Sequence, residues 1–431
     1  MDDPTRLTAT DALARIETGS LTASALTAAC LDRIAVREPE VHAWAHIADG
    51  TGRRAAEVLD VGLTRRPLHG LPIGIKDVIQ TRDMPTRHNS ALYDEPDPTP
   101  DAPCVALLRA AGAVILGKTA TVEFAATGRP APTRNPADLR CTPGGSSSGS
   151  AAAVADFHVP LALGTQTGGS IIRPAAYCGI YGVKPTWGLV SREGAKTFAT
   201  SLDTIGWFAR SAQDLGLLYD VLDSEPGGEV GVLSPGAARI AVSRTAVWNQ
   251  AEPATREALE EAIRRLKAAG AEVVELTLPA MFDDAIAVQA TVMKGEARAS
   301  FLAEYRLHGE TLHPNLVGYV ENADGISRVD LRDAYDRTAA MRMAFDEIAA
   351  PFDAVLTPSV TGEAPEGLAS TGSYVFNALW SLIHTPCVNV PGLTGPNGRP
   401  VGLTVAGPRF ADRRVLAAAA MLGGLIGAET R

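Results

Sequence analysis

The chain has 431 residues, 46% of them hydrophobic and 20% charged, with a formal net charge of −10. That content suits a large buried core, built as one big α/β domain or as two smaller ones, and excludes global disorder. The negative balance argues against a nucleic-acid partner, whose phosphates are held by clustered Lys and Arg, and favours a small-molecule partner. Cys30, Cys104, Cys141, Cys178 and Cys387 are scattered, odd in number and without a C-x-x-C pair. They indicate neither a disulfide framework nor a metal site, and read as reduced thiols in a cytoplasmic setting. The start, MDDPTRLTAT, lacks the basic and apolar regions of a secretory signal. The longest apolar run, Val415 to Ala428, is shorter than the roughly eighteen residues a membrane helix needs, so a buried C-terminal helix and no membrane partner are expected.

Taken in chain order, residues 8–60 place Leu13, Ile16, Leu26, Leu31 and Ile34 at helical spacing, with turn residues near Gly19 and Pro39. Residues 1–65 therefore read as an all-helical arm. From Leu71 the pattern becomes short apolar runs separated by glycine and helical segments (PIGIKDVI, VALLRAAG, AVILGKT, GIYGVKPT), which predicts an α/β catalytic core over 66–223. SEPGGEVGVLSPGA, 224–237, reads as a surface loop. RIAVS, a helix over 253–269 opened by Pro253 and closed by Gly270, and EVVEL resume the α/β pattern. Residues 280–350 read as a charged helical excursion, and 351–431 as a return to the core through FDAVLTPS, PCVNVPG and PVGLTVAG. The expectation is one α/β domain over 1–431, without repeats.

Chemistry concentrates in TPGGSSSGSAAAVADFHVPLALGTQTGGSIIR, Thr142–Arg173, where two glycine–serine clusters flank a strand-forming run. Glycines let backbone N–H groups turn toward a reacting oxygen, and serines beside them can attack or carry protons. Two other motifs compete. GAVILGKT, Gly112–Thr119, fits the phosphate-loop pattern letter for letter, but its intervening residues are strand formers, which argues against nucleotide binding. Gly145–Gly149 fits the G-x-S-x-G elbow and would make Ser147 a nucleophile, yet His158, His308, His313 and His384 lack a partner signature. A lysine held neutral by burial can replace the histidine; Lys76, between Gly74 and the apolar Val78 and Ile79, is the candidate, against the bland reading of a lysine paired at a strand end.

Three segments then combine: Gly74-Ile-Lys-Asp77, Gly144-Gly-Ser-Ser-Ser-Gly149 and Gly164-Thr-Gln-Thr-Gly-Gly-Ser170, with 24 residues from Ser146 to Ser170. In this combination the chain closely resembles the amidase signature family. The resemblance extends to AAGAVILGKTATVEFA, GLVSREGAKTFATSLDTIGWFARS and PVGLTVAGPRFADRRVL, and so covers most of 70–425. It implies a Ser, cis-Ser, Lys triad with Ser170 as nucleophile, Ser146 as the bridging serine behind a cis peptide, and Lys76 as base. The implied oxyanion hole is the N–H groups of Thr167, Gly168, Gly169 and Ser170. The implied fold is a large mixed β-sheet flanked by helices on both faces (α/β/α). Homodimerisation is a further family expectation, and no cofactor is required.

Two departures narrow the pocket. Gln166 stands where many members have Asp, and Ile172 where many have Arg, the arginine being displaced to Arg173. If Ser170 opens a helical turn, Arg173 shares its face, although Pro174 biases it away from regular helix. A guanidinium there suits a substrate carboxylate, against the alternative of a structural ion pair. TQTGGSIIRPAAYCG most resembles the malonamidase and carboxybiuret-hydrolase branch. The expected substrate contacts are Arg173, Gln166, Gly145 and Tyr177. Trp207 and Phe208 read more readily as packing, and Cys178 as a small buried hydrophobe. The expected activity is hydrolysis of a small, carboxylate-bearing amide through a seryl acyl-enzyme with release of ammonia. The alternatives are the glutaminase component of a tRNA-dependent amidotransferase complex and a hydrolase of ureido or biuret-type acids.

Overall fold

A computed structural model describes residues 3–62, 64–94, 99–225 and 231–427. Eleven strands form one sheet: β1 (Trp44–Ile47), β2 (Pro72–Lys76), β3 (Val114–Thr119), β4 (Leu161–Gln166), β5 (Tyr181–Lys184), β6 (Thr204–Ala209), β7 (Arg239–Val242), β8 (Glu272–Glu275), β9 (Ala354–Pro358), β10 (Cys387–Thr394) and β11 (Pro400–Ala406). Their spatial order is β1-β3-β2-β4-β6-β5-β10-β11-β9-β7-β8. β3, β2 and β4 run parallel at one wing and β9, β7 and β8 at the other, while the middle is antiparallel. The sheet is therefore mixed, as the family resemblance implies.

Side chains alternate across it because successive residues of a strand point to opposite faces. Ile240 and Val242 of β7, with Ala354 and Leu356 of β9, pack into one apolar core alongside the helices Pro253–Ala268 and Asp412–Ile426. Ala241 and Val355 enter a second core built with Ala285–Ser300, Arg328–Ala349 and Val375–Leu382. The excursion at 280–350 thus supplies most of the second helical layer. Within each core the strands read as continuous apolar runs because both faces are covered.

The predicted strands from AVILGKT, RIAVS, EVVEL, FDAVLTPS, PCVNVPG and PVGLTVAG are all present, as is the helix opened by Pro253. Two expectations change. The N-terminal arm is not all helical: Trp44–Ile47 forms an edge strand antiparallel to β3, too short for its alternation to show against flanking helices. Pro39 is not a turn but lies inside the helix Ala23–Val41, near its end. Of the expected loop at 224–237, residues 226–230 lie outside the described residues, as does Ala428 at the end of the expected apolar run. Among the described residues no helix is long and apolar enough to cross a membrane.

β2 ends at Lys76 beside β4, whose own end runs into Thr167–Ser170. Between them the helix Ser148–Ala155 docks end-on against the β1–β3 edge. It does so through Gly149, where a Cβ would collide with the Ala43 carbonyl and the Ala120 backbone. Backbone cannot yield as a flexible side chain can, so Gly149→Ala is expected to cost about 3 kcal/mol in denaturant unfolding. Gly236→Ala, with open space around it, should change stability by no more than about 0.5 kcal/mol.

Candidate active site

Lys76 has 0% exposure, Ser146 3% and Ser170 9%, so Ser170 is the most accessible of the three. Lys76 Nζ lies 2.7 Å from Ser146 Oγ and 2.7 Å from Thr165 Oγ1, with the Thr165 carbonyl at 3.4 Å. Among the described residues no carboxylate is in contact with it. Burial pushes the ammonium well below the ordinary lysine value of 10.5, and the charge of Asp203 opposes this. The bland alternative of a paired strand-end lysine is thereby removed for Lys76. The Gly145–Ser146 peptide is cis, and the Ser147 N–H donates to the Ser170 carbonyl at 3.3 Å, which seats the serine cluster beside Ser170.

From Thr167 to Ser170 every carbonyl accepts a hydrogen bond from protein. Gln289 Nε2 donates to Thr167, Ser381 Oγ to Gly168 at 2.7 Å, the Arg173 N–H to Gly169 at 3.0 Å and the Ser147 N–H to Ser170. The N–H groups of the same four residues have no partner among the described residues. Carbonyls held outward with N–H groups left unpaired make a concave cluster of donors suited to a developing oxyanion. The Tyr374 ring lies so close to Gly168 that a Cβ there would stand 2.8 Å from Cδ2.

Gln166 has 1% exposure; its Oε1 accepts from the N–H groups of Ile171 and Ile172 at 2.8 and 3.0 Å, and its Nε2 donates to Ser381 Oγ at 3.1 Å. It ties the start of the helix Ile172–Cys178 to the loop. Arg173 lies in the first turn of that helix, Pro174 notwithstanding, and is buried. Its Nη1 and Nη2 donate at 2.6 Å to the carbonyls of Gly372 and Gly145, while Nε is buried without a partner. No ion pair forms at Arg173 among the described residues. Burial lowers its guanidinium to about 10, opposed by Tyr177 and Tyr374. Tyr177 is buried beside Gly372, and Thr371 packs on Gly145, so Thr371 and Gly372 pack against this end of the site. Cavities of about 210 Å³ near Phe376 and about 230 Å³ near Arg87 are lined by none of Lys76, Ser146 or Ser170.

The competing motifs resolve differently. Ser147 has 0% exposure, and its Oγ is bonded to the Thr165 carbonyl and N–H, so it is not presented as an elbow nucleophile. His158 pairs with Asp156 and the Trp44 indole. The phosphate-loop look-alike is itself β3, and its Lys118 is buried against Asp77 at 3.5 Å. Cys178 is buried, with burial pushing its thiol up, and Trp207 and Phe208 are buried in β6. Sequence reasoning missed Thr165, Asp203, Gln289, Tyr374 and Ser381. The first two sit inside quoted motifs, but Gln289 and Ser381 come from distant helices and Tyr374 from the residue before one, none of which carries a local signal.

The Amidase family profile matches residues 25–416, and the chain belongs to that family. It is 41% identical over 328 residues to a glutamyl-tRNA(Gln) amidotransferase subunit of Acidothermus cellulolyticus, a match over 70% of this chain and 64% of that protein. It thus spans under two thirds of that relative's length. With the corresponding subunit of Salinispora tropica it shares 32% identity over 100% of this chain and 99% of that one. A solved amidase superposes with a TM-score of 0.89 at 30% identity, covering 98% of this chain and 100% of that one.

A buried lysine whose folded value lies below 10.5 binds fewer protons folded than unfolded, so its cost to stability grows as pH falls below 10.5 and levels off below the folded value. Lys76→Met should therefore raise the denaturation midpoint at pH 7, and the gain should shrink as pH approaches 10.5.

Proposed function

We propose that the protein is a cofactor-free seryl amidohydrolase acting on a small primary amide that carries a carboxylate. The observation that carries this reading is the buried Lys76–Ser146 contact facing a loop of unpaired N–H groups. Ser170 Oγ attacks the amide carbonyl, its proton passing to Ser146 as Ser146 gives its own to neutral Lys76. The N–H groups of Thr167, Gly168, Gly169 and Ser170 receive the oxyanion. The relay returns the proton to the nitrogen, the C–N bond breaks and ammonia leaves. Water then attacks the acyl-enzyme with the same base, regenerating Ser170.

Arg173 supports the carboxylate. A guanidinium has five donors, two are used, and the buried Nε–H is free, so a substrate carboxylate would satisfy a charge the protein leaves uncompensated. Gly145 and Tyr177 shape this end, Gly145 by holding Nη2, whereas Gln166 acts through the loop. Malonamate-like acids and ureido or biuret-type acids both fit this description. The five cysteines are free and buried, in keeping with a cytoplasmic setting.

A second reading, glutaminase action within an amidotransferase complex, is favoured by the named relatives. Glutamine also carries a carboxylate and differs from glutaramate by an added ammonium.

Ammonia release from succinamate, succinamide, glutaramate and L-glutamine tests both. Wild type should prefer the acid amides, and Ser170→Ala should lose activity about 1,000-fold or more. Arg173→Met should lose roughly 100-fold in kcat/KM on succinamate and little on succinamide. Equal losses on the two would overturn the carboxylate clamp. Glutamine cleaved faster than glutaramate would establish the second reading.

A further inference from the structure

Asp203 stands just before β6, next to the strand that leads into Ser170: Thr204 is registered with Gln166. Its carboxylate accepts three hydrogen bonds, from Thr167 Oγ1 at 2.6 Å, from the Phe198 N–H at 2.7 Å and from the Ala199 N–H at 3.1 Å. The Thr167 carbonyl is meanwhile held by Gln289, so the first residue of the donor loop is gripped at side chain and backbone from two directions. Asp203 lines one cleft with Thr165, whose hydroxyl contacts Lys76 Nζ at 2.7 Å, and its charge opposes the effect of burial on Lys76. We propose that Asp203 is a positioning residue of the amide-cleaving site, its carboxylate fixing Thr167 so that the loop's N–H groups stay open and standing as a negative charge in the cleft that Thr165, the hydroxyl partner of Lys76, also lines. The proposal rests on the seryl amidohydrolase reading above.

The groups facing each partner are few. Around Lys76 are Ser146 Oγ, the Thr165 hydroxyl and carbonyl, and the charge of Asp203. Around Asp203 are Thr167, the two N–H groups and the opposing charge of Arg192, with Lys196 lining the same small cleft. Burial lifts the Asp203 carboxyl to about 6, against the pull of Thr167 and the two N–H groups, so it is charged at neutral pH. A carboxylate near an amine favours the ammonium form. Removing that charge lets Lys76 stay neutral at lower pH, and the acid limb of Ser170 reactivity must move down.

The test reads Ser170 directly, without an identified substrate. Phenylmethanesulfonyl fluoride sulfonylates an activated serine: the O–S bond forms, the S–F bond breaks, fluoride leaves, and the serine proton goes to the relay. The second-order inactivation constant is measured against pH. Ser170→Ala should not react; if it reacts like wild type, the seryl reading itself fails. With that reading intact, Asp203→Asn should react more slowly at its plateau and show its acid limb about half a pH unit or more lower than wild type. Thr167→Val, which keeps the charge but frees the loop, should be slower with a smaller displacement of the limb. An Asp203→Asn limb at the wild-type position overturns the proposal, because a merely structural aspartate would slow the reaction without moving it. Should Asp203→Asn not fold, Asp203→Glu carries the test: the retained charge should keep the limb near wild type, and a limb lowered by about half a unit would overturn the proposal.

Discussion

Everything at this site follows from Lys76 being held away from water with only hydroxyl and carbonyl oxygens in hydrogen-bond contact. In water its amine would be protonated and useless as a base at neutral pH. At the end of β2, with 0% exposure, charging it means burying an ion without a contacting counter-charge, which favours the neutral form. The sheet exists, in this sense, to keep that environment dry. β3 and β4 flank β2, the helix Ser148–Ala155 closes over the gap, and Gly149 permits the close approach. In the proposed mechanism a lysine base makes a histidine unnecessary, and His158 is committed to Asp156 and Trp44.

A second buried cation answers a different need. Burial lowers the Arg173 guanidinium only to about 10, so it stays charged at neutral pH, and its burial without an acid partner leaves a charge that the two carbonyls only partly compensate. Proteins seldom tolerate this unless something else completes the site. In the proposed mechanism the two groups divide the work by chemistry: a lysine whose charge is adjustable serves the proton transfer, and an arginine whose charge is fixed serves recognition. The loop Thr167–Ser170 has its carbonyls engaged from Gln289, Ser381, Arg173 and Ser147.

Much of this was legible in the sequence. The order of short apolar runs and helices indicated the α/β class, and the glycine–serine clusters with Gly74-Ile-Lys-Asp77 pointed to the candidate site, because a donor loop and a dry lysine both need local residue types. Trp44–Ile47 was hidden because four residues between helices carry too little alternation, and Pro39 because a proline near a helix end mimics a stop. Gln289, Ser381 and Tyr374 were out of reach for another reason: they meet the loop only through tertiary packing of the second helical layer. Asp203 lay in a quoted motif, but nothing local indicates that its carboxylate turns toward Thr167.

The most direct test of the central claim is the charge of Lys76 itself. Lysine labelled with ¹⁵N at Nζ and ¹³C at Cε, with Lys76→Met assigning the resonance, would report its titration by NMR. The account predicts an amine that is neutral at neutral pH, with its midpoint well below the ordinary value of 10.5. An Nζ that stays an ammonium up to about pH 10 would contradict the mechanism at its base.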